Sequence, residues 1–382
     1  MKPAALHQEF TATVRDLGTD GRGIVEHPTG QVFFAAGVWP GETARFRVTG
    51  FKQRFGFARL VELVTPSPDR VAPLCPHHGL GERDCGGCPW QFMRYPAQLI
   101  AKEQRVRQAL ARYALDDRIA PLHGAPQAFA YRNRAQFKTD GRQLGFVAAG
   151  SNRLAPITDC PVLTAPNRAT LHTLIAALPV AAWKPSRKHN WTTLDVDEEV
   201  TATEVVPNQR RPFRQGNDAQ NSFMREWLAD RLHTLDPSRT VTELFAGSGN
   251  FTEVIAARGF QQVFAIEGVE SSVTQLNARG LPATTGLCHN LFIASECEQL
   301  QAATAQASVL VLDPPRDGCK HLAALLPKKH RYRDVFYIAC DVATFSRDLQ
   351  VLTAAGLVVK ELQPLDLFPQ TPHVELLCWL KG

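Results

Sequence analysis

Residues 240–259 read TVTELFAGSGNFTEVIAARG. An apolar β-branched run is followed by a turn marked by Gly247 and Gly249, then by a helical pattern whose N-terminus falls near Asn250. Twenty-one residues beyond Ala246 the next apolar run, VFAIE, ends in Glu267. A carboxylate at the tip of a second parallel strand is placed to bond ribose hydroxyls, while a glycine turn lets a nucleoside approach the backbone. The pair predicts an α/β, Rossmann-like domain that binds a nucleoside. GSGNFT lacks the third glycine of a pyrophosphate cradle, so S-adenosylmethionine, which carries no phosphate, fits better than a dinucleotide.

Downstream, VLVLDPPRDG reads as the third strand, ending in Asp313 and two prolines that open its tip into a loop. VFYIACD (335–341) reads as the fourth, a buried strand that delivers the Cys340 thiol at its carboxyl end, where open α/β sheets place their sites. From the strand alone, Cys340 is a nucleophile or a small buried hydrophobe. Asp341 works against a thiolate unless it points away or is paired. LVVKEL and VELLCWL read as two more strands joined by QPLDLFPQTPH, which returns His373 and Glu375 to the rim. Upstream, FRQGN opens this lobe, followed by an amphipathic helix through Phe223, Trp227, Leu228 and Leu235.

The N-terminal part has a different rhythm. Residues 8–65 alternate short β-type runs with turns at TDGRG, HPTG and WPGE, which predicts a small barrel of the OB type. Lys52, Arg54 and Arg59 interleave with Phe51, Phe55 and Phe57, a pattern that serves either as a solvated face or as a surface for phosphates and bases. Next, CPHHGLGERDCGGCPWQ places Cys75, Cys85 and Cys88 together, with Cys160 as a fourth candidate. Three thiols this close, two of them flanking Gly86 and Gly87, predict a Cys-ligated metal site; zinc and an iron–sulfur cluster both suit four thiolates. An amphipathic helix over Tyr95–Tyr113 carries Lys102, Arg105, Arg107 and Arg112 on faces read as solvated. In the strands that follow, Arg132 and Arg134 share a face where a phosphate backbone fits.

The chain has 382 residues, 44% of them hydrophobic and 21% charged, enough for two or three domains with cores of their own. It has no apolar run of membrane-span length and no hydrophobic leader in MKPAALHQEF, so a cytoplasmic location without membrane association is expected. Nine cysteines in such a compartment point to metal and burial rather than disulfides. The mild positive charge, +5, is compatible with a polyanionic partner.

Taken together, the cysteine cluster with CGGC, FRQGN, ELFAGSGNFT, LDPPRDG, YIACD and LFPQTPHVE resemble the bacterial RNA uracil-5-methyltransferases, in particular those acting on 23S ribosomal RNA. The segment ending in PSPDRVAPLC looks like the TRAM domain of RNA-modifying enzymes. The resemblance implies a TRAM barrel over 1–68, a small central α+β domain with a [4Fe–4S] cluster over 69–212, and a S-adenosylmethionine-dependent methyltransferase domain over 213–382. It implies Cys75, Cys85, Cys88 and Cys160 as cluster ligands, and donor contacts from Gln215, Phe245, Asn250, Glu267, Asn290 and Asp313. Cys340 becomes the nucleophile that adds to uracil carbon-6, and Glu375 the base that removes the carbon-5 proton. The partner is RNA, with transfer RNA the alternative to 23S, and the chain is expected to act as a monomer. Two departures stand out: the Cys75–Cys85 gap is longer than the family's, and Asp341-Val342 replaces its Asn-Pro. A small-molecule methyltransferase leaves the barrel idle, and a non-catalytic RNA-binding protein leaves Cys340 and Glu375 unexplained.

Overall fold

The computed structural model of the protein describes residues 4–211, 213–326 and 332–382. Residue 212, the expected end of the central domain, lies outside the described residues. By packing, the chain gathers into two compact units. One comprises Met1–Arg105, Gln127–Arg211 and Phe368–Pro372; the other Val106–Pro126, Pro212–Leu367 and His373–Gly382.

The first unit begins with β1 (Glu9–Thr13), β2 (Asp16–Leu17), β3 (Gly23–Glu26), β4 (Val32–Ala35), β5 (Thr43–Lys52) and β6 (Phe55–Thr65), in the order β1-β5-β6-β4-β3-β2. β1 and β2 are halves of one bent strand: β1 pairs with β5, β2 pairs with β3, and between them Val14 N–H donates to Glu42 O and Arg15 N–H to Ile24 O. The sheet therefore closes on itself as a five-stranded barrel, with β4 and β6 its parallel pair. Alternation drives the closure, since Phe10, Phe33, Phe46 and Val48 point inward and are buried.

The helix α1 (Tyr95–Leu110) follows. Its Lys102 departs from the solvated reading. It is fully buried, with Nζ donating to Phe368 O at 3.2 Å, and Gln98 and Gln370 exchange two further bonds at 2.9 and 3.0 Å. A lysine spaced like a surface residue is thus used to hold the Phe368–Pro372 loop. The small antiparallel sheet is built from β7 (Arg134–Thr139), β8 (Leu144–Val147), β9 (Leu154–Pro156) and, after α2 (Ala165–Ala176), β10 (Thr192–Asp197), in the order β10-β7-β8-β9. Arg134 is not free for a phosphate, because its guanidinium donates to both carboxylate oxygens of Asp195 at 3.0 and 2.6 Å.

In the second unit α3 (Asp218–His233) leads into β11 (Thr240–Leu244), α4 (Thr252–Ala257), β12 (Gln262–Glu267), α5 (Glu270–Ala278), β13 (Thr284–Cys288), α6 (Ala294–Ala303), β14 (Ala307–Leu312), α7 (Leu322–Leu325), β15 (Asp334–Ala339), α8 (Val342–Ala354), β16 (Val358–Leu365) and β17 (Glu375–Lys381). The strand order is β13-β12-β11-β14-β15-β17-β16, all parallel except β17, which runs antiparallel to both neighbours. β11 and β15 are buried along their whole length, as strands covered on both faces must be. VLVLDPP is therefore the fourth strand in chain order rather than the third. The strand TTGLC (β13) was missed because it is a half-exposed edge strand with no apolar alternation. The helix expected near Asn250 starts two residues later, at Thr252.

Because β17 is reversed, its amino end meets the carboxyl ends of β14 and β15. This topology puts Glu375, the first residue of β17, on the same edge as Asp313 and Cys340.

Candidate functional site

At the tip of β11 the backbone leaves the sheet through Phe245 (φ 64°) and Gly247 (φ 56°), a left-handed passage that glycine makes without strain. A Cβ on Gly247 would meet nothing within 4 Å, so that side of the turn is open. Glu267, at the tip of β12, spans it: Oε2 accepts from Gly247 N–H at 3.0 Å and Oε1 from Val269 N–H at 2.9 Å. Glu267 O in turn accepts from His289 N–H, which brings Asn290 to the same rim. Asn290 Oδ1 accepts from Phe292 N–H at 3.0 Å, and the Phe292 ring lies 6.0 Å from that of Phe245. Val269, Phe292 and Ile293 remain exposed apolar side chains. An open glycine turn, a carboxylate and an apolar rim fit an adenosine that bears no phosphate.

Phe245, Glu267 and Asn290 are thus brought together. Asn250 is at the turn as well, but its amide is already engaged, exchanging bonds of 3.0 and 3.2 Å with Asn221 of α3. Gln215 is buried on the segment before α3. There Asn217 caps the helix by accepting from Gln220 N–H and donates to Leu367 O.

The second group lies at the ends of β14, β15 and β17. Ala339 pairs with Leu376 as the last pair of the antiparallel ladder, so Cys340 and Glu375 each lie one residue beyond it at the same end of the sheet, near enough for the Glu375 charge to act on the thiol. Cys340 is partly exposed and its thiol is pushed up to about 12, by burial first and then by Glu375 and Asp313. Glu375 is buried, and its carboxyl stands well above the usual range through burial and the neighbouring Asp313. Burial lifts Asp313 to about 7. Arg316 is the counterweight, since its charge lowers both Cys340 and Glu375. Its Nη2 lies 3.4 Å from His373 Nε2.

Asp341 is turned away from the sulfur: it is the N-cap of α8, with its carboxylate accepting from Thr344 N–H at 2.8 Å. The departure from Asn-Pro therefore keeps a capping side chain where the helix needs one. Cys319, the other thiol near this loop, is fully buried and lifted to about 12 by burial and Asp348, which leaves it no approach to a substrate.

Two residues of this region carry no role in the sequence reading. Arg316 sits inside the quoted LDPPRDG, and the signal was there: a cation three residues beyond Asp313 at a strand tip that faces a thiol. Glu243, in the middle of an apolar strand, is buried and lifted to about 8, chiefly by burial, with Asp313 adding to the rise.

The cysteine group belongs to the first unit. Burial raises all four thiols, and they also raise one another: Cys75 acts on Cys85, while Cys88 is raised by Cys160, Cys85 and Cys75. Cys88 and Cys160 reach about 12. The loop is tight here, as a Cβ on Gly86 would lie 2.8 Å from Ala149 Cα. Four thiols thus lie near enough to act on one another, Cys160 buried and Cys75, Cys85 and Cys88 half-buried. Among the described residues no three His, Cys, Asp or Glu side chains are drawn together closely enough for a single metal ion.

Comparison with known proteins decides the family. Residues 288–382 match the family model described as tRNA (uracil-5-)-methyltransferase. The 23S rRNA (uracil(1939)-C(5))-methyltransferase RlmD of Halomonas elongata is 32% identical, over 96% of this chain and 88% of that one. The chain belongs to the RNA uracil-5-methyltransferase family. It is a S-adenosylmethionine-dependent transferase that acts on carbon-5 of uracil in RNA. An uncharacterized RNA methyltransferase of Nitrosomonas europaea is 39% identical, over 96% of this chain and 95% of its own length. The tRNA (uracil-54, C5)-methyltransferase of Pyrococcus abyssi, solved with S-adenosyl-L-homocysteine, has the same fold: TM-score 0.71 at 20% identity, over 97% of this methyltransferase and 99% of that one. No helix among the described residues is long and apolar enough to cross a membrane.

Proposed function

We propose that this enzyme methylates a uridine of 23S ribosomal RNA through a covalent bond between Cys340 and the base. The observation that supports the covalent route is the gathering of Cys340 and Glu375 at one end of the β15–β17 ladder, where the Glu375 charge acts on the thiol. Likeness to the 23S enzyme over most of both chains supports the choice of RNA. S-adenosylmethionine, when bound, supplies a methyl group on a sulfonium.

Uracil carbon-5 is a weak nucleophile, and the residues of the chain supply what it lacks. Cys340 adds through sulfur to carbon-6, and the electron pair of the 5,6 double bond moves toward O4, which makes carbon-5 an enolate carbon that takes the methyl. Glu375 then removes the proton left on carbon-5, and the carbon–sulfur bond breaks to restore the double bond. With its thiol near 12, Cys340 releases its proton to solvent as the bond to carbon forms rather than beforehand. Arg316 opposes the negative charge that addition creates at the rim. Both faces of the pyrimidine have to be reached, so the target base is unstacked from its neighbours. Gln215, Phe245, Asn250, Glu267, Asn290 and Asp313 are proposed to hold the donor.

In the same reading the chain divides into a TRAM-type barrel over 1–68, a central domain over 69–212 and a catalytic domain over 213–382. Exposed Lys52, Arg54 and Arg59 on the barrel, with Phe51 47% exposed and Arg22 4.8 Å over the Phe57 ring, support RNA binding there. Cys75, Cys85, Cys88 and Cys160 are proposed to hold a [4Fe–4S] cluster. The four thiols raise one another, which supports a shared thiolate site. The bound irons would supply the positive charge that four thiolates need.

Mapping 5-methyluridine in RNA from a strain lacking the enzyme tests the substrate. Loss from 23S RNA is expected; loss from transfer RNA alone would replace the 23S reading. RNA carrying 5-fluorouridine should trap the wild-type enzyme, and Glu375→Gln should leave a methylated RNA–protein adduct that survives denaturing electrophoresis. No adduct in either case would rule out the covalent route.

A further inference from the structure

The loop that carries Arg316 is fastened by a buried carboxylate that takes no part in the chemistry described above. Asp348, on α8, is 1% exposed. Its Oδ2 accepts from Cys319 N–H at 2.7 Å and from Tyr337 O–H at 2.6 Å. Its Oδ1 accepts from Arg347 Nε at 2.9 Å, and Arg347 Nη2 in turn donates to Asp317 O at 2.9 Å. Gly318 N–H closes the turn onto Pro315 O at 2.8 Å. The approach is close enough to exclude a side chain: with φ at 69°, a Cβ on Gly318 would stand 2.6 Å from Asp348 Oδ2 and 2.4 Å from Arg347 Nη2.

Arg316 lies between these two attachments. Asp317 and Cys319 are pinned on one side and Asp313 continues from β14 on the other. Tyr337, held by the same carboxylate oxygen as the loop, belongs to β15, the strand whose last residue, Ala339, precedes Cys340. One side chain therefore fixes the strand of the nucleophile and the loop of the cation against each other.

We propose that Asp348 is a positioning residue that sets Arg316 relative to Cys340 and Glu375. The inference rests on the covalent reading above, in which Arg316 opposes charge at the rim. Asp348 touches neither substrate nor donor; it acts through the loop. The groups that face the Cys340 thiol are Glu375 from β17, and Asp313 and Arg316 from the chain after β14. Displacing Arg316 leaves two carboxyls beside the sulfur with less opposition, so the thiol should become harder to ionise.

The test compares Asp348→Asn, Gly318→Ala and Arg316→Gln in the full-length enzyme. It reads methyl transfer to RNA, donor affinity by calorimetry, and the pH dependence of Cys340 alkylation by iodoacetamide, followed on its own peptide by mass spectrometry. Asp348→Asn should lower kcat at least about tenfold with donor affinity within about twofold. It should also move the Cys340 alkylation midpoint upward, as Arg316→Gln does. The double variant Asp348→Asn, Arg316→Gln should be no worse than Arg316→Gln alone, because the two act in one chain of contacts. Gly318→Ala loosens the loop from the other side and should reproduce both changes if Asp348→Asn does not fold. Unchanged kcat and alkylation in Asp348→Asn, or additive losses in the double variant, would overturn the positioning role. An active Cys340→Ala enzyme would instead sink the covalent reading, while the alkylation comparison still reports on whether Asp348 places Arg316.

Discussion

Two thiol environments in this chain are raised in the same direction by different surroundings. Cys88 and Cys160 stand at about 12 because they are buried and because other thiols crowd them; Cys340 stands at about 12 because it is buried and two carboxyls crowd it. In the first group every neighbour that raises the sulfur is itself a donor, so a cation with several binding positions lowers all of them together. In the second the neighbours are acids, and in both places a guanidinium opposes them, Arg132 beside the cysteine group and Arg316 beside Cys340. The same figure therefore arises in one place from neighbouring thiols and in the other from neighbouring carboxyls. Acidity alone does not separate a ligand from a nucleophile; the identity of the second group does.

The sharpest way to break this comparison is to remove one sulfur from each side. Cys340→Ala should abolish methyl transfer while RNA and donor affinities stay within about twofold, because a bond-forming atom is lost and the binding groups remain. Its visible absorbance, if the four-thiol site holds iron, should be unchanged. Retained activity would move the nucleophile elsewhere, and Cys319 is buried too deeply to inherit the role.

Cys85→Ser should do the reverse. A structural metal contributes its binding energy to folding, so opening the site should lose the bound iron and lower the first unit's stability by several kcal/mol. Methyl transfer should fall only as far as folded protein is lost. Iron analysis with melting curves checks this. Stoichiometric zinc with no visible absorbance would exclude the iron assignment and leave the four-thiolate site intact.

How far these two sites could be read from the sequence follows from how local each one is. Cys340 and Glu375 are legible because a strand-end thiol and a strand-start carboxylate are written in short apolar runs whose register is fixed by burial. The cysteine group is legible because CGGC is compact. The edge strand β13 was not, since TTGLC is half exposed and owes its place to pairing with β12 rather than to its own pattern. Lys102 was not, because helical spacing gives a residue's face but not whether a loop from far along the chain covers it. Arg316 and Asp348 share that difficulty: each gains its meaning from partners on another element, brought near only by the fold.

On the catalytic side the comparison can be sharpened through Glu243, the buried acid whose pKa is also raised by Asp313. Its folded value is about 8 against an ordinary 4.5. Below 4.5 both folded and unfolded chains hold the proton and the group costs nothing. As pH rises toward 8 the unfolded chain ionises first, so the folded state loses relative stability across that window. Gln cannot ionise. Glu243→Gln should therefore melt like the wild type near pH 4.5 and gain on the order of 3 kcal/mol at pH 7. Equal gains at both pH values would mean that Glu243 is stabilised or destabilised by something other than its charge.

The smallest expected effect concerns the donor, and it isolates the glycine turn from both thiol sites. Glu267 already accepts from Gly247 and Val269 N–H, one bond on each carboxylate oxygen. Each oxygen therefore keeps acceptor capacity for a ribose hydroxyl while its position is fixed by the backbone. Charge-assisted bonds of this kind are worth roughly 1.5–3 kcal/mol each, so Glu267→Ala should weaken donor binding by at least about tenfold. Part of that loss comes through the turn, since Gly247 and Val269 N–H also lose their acceptor. Glu267→Gln separates the two contributions. Its amide keeps one acceptor oxygen but turns the other position into a donor, so one of the two backbone bonds is lost and affinity should fall between wild type and Ala. Neither variant should change the absorbance of the four-thiol site or the alkylation of Cys340. Calorimetry with S-adenosylmethionine decides the matter: affinity unchanged in Glu267→Ala would mean that the ribose is held elsewhere and that the carboxylate serves only to brace the turn.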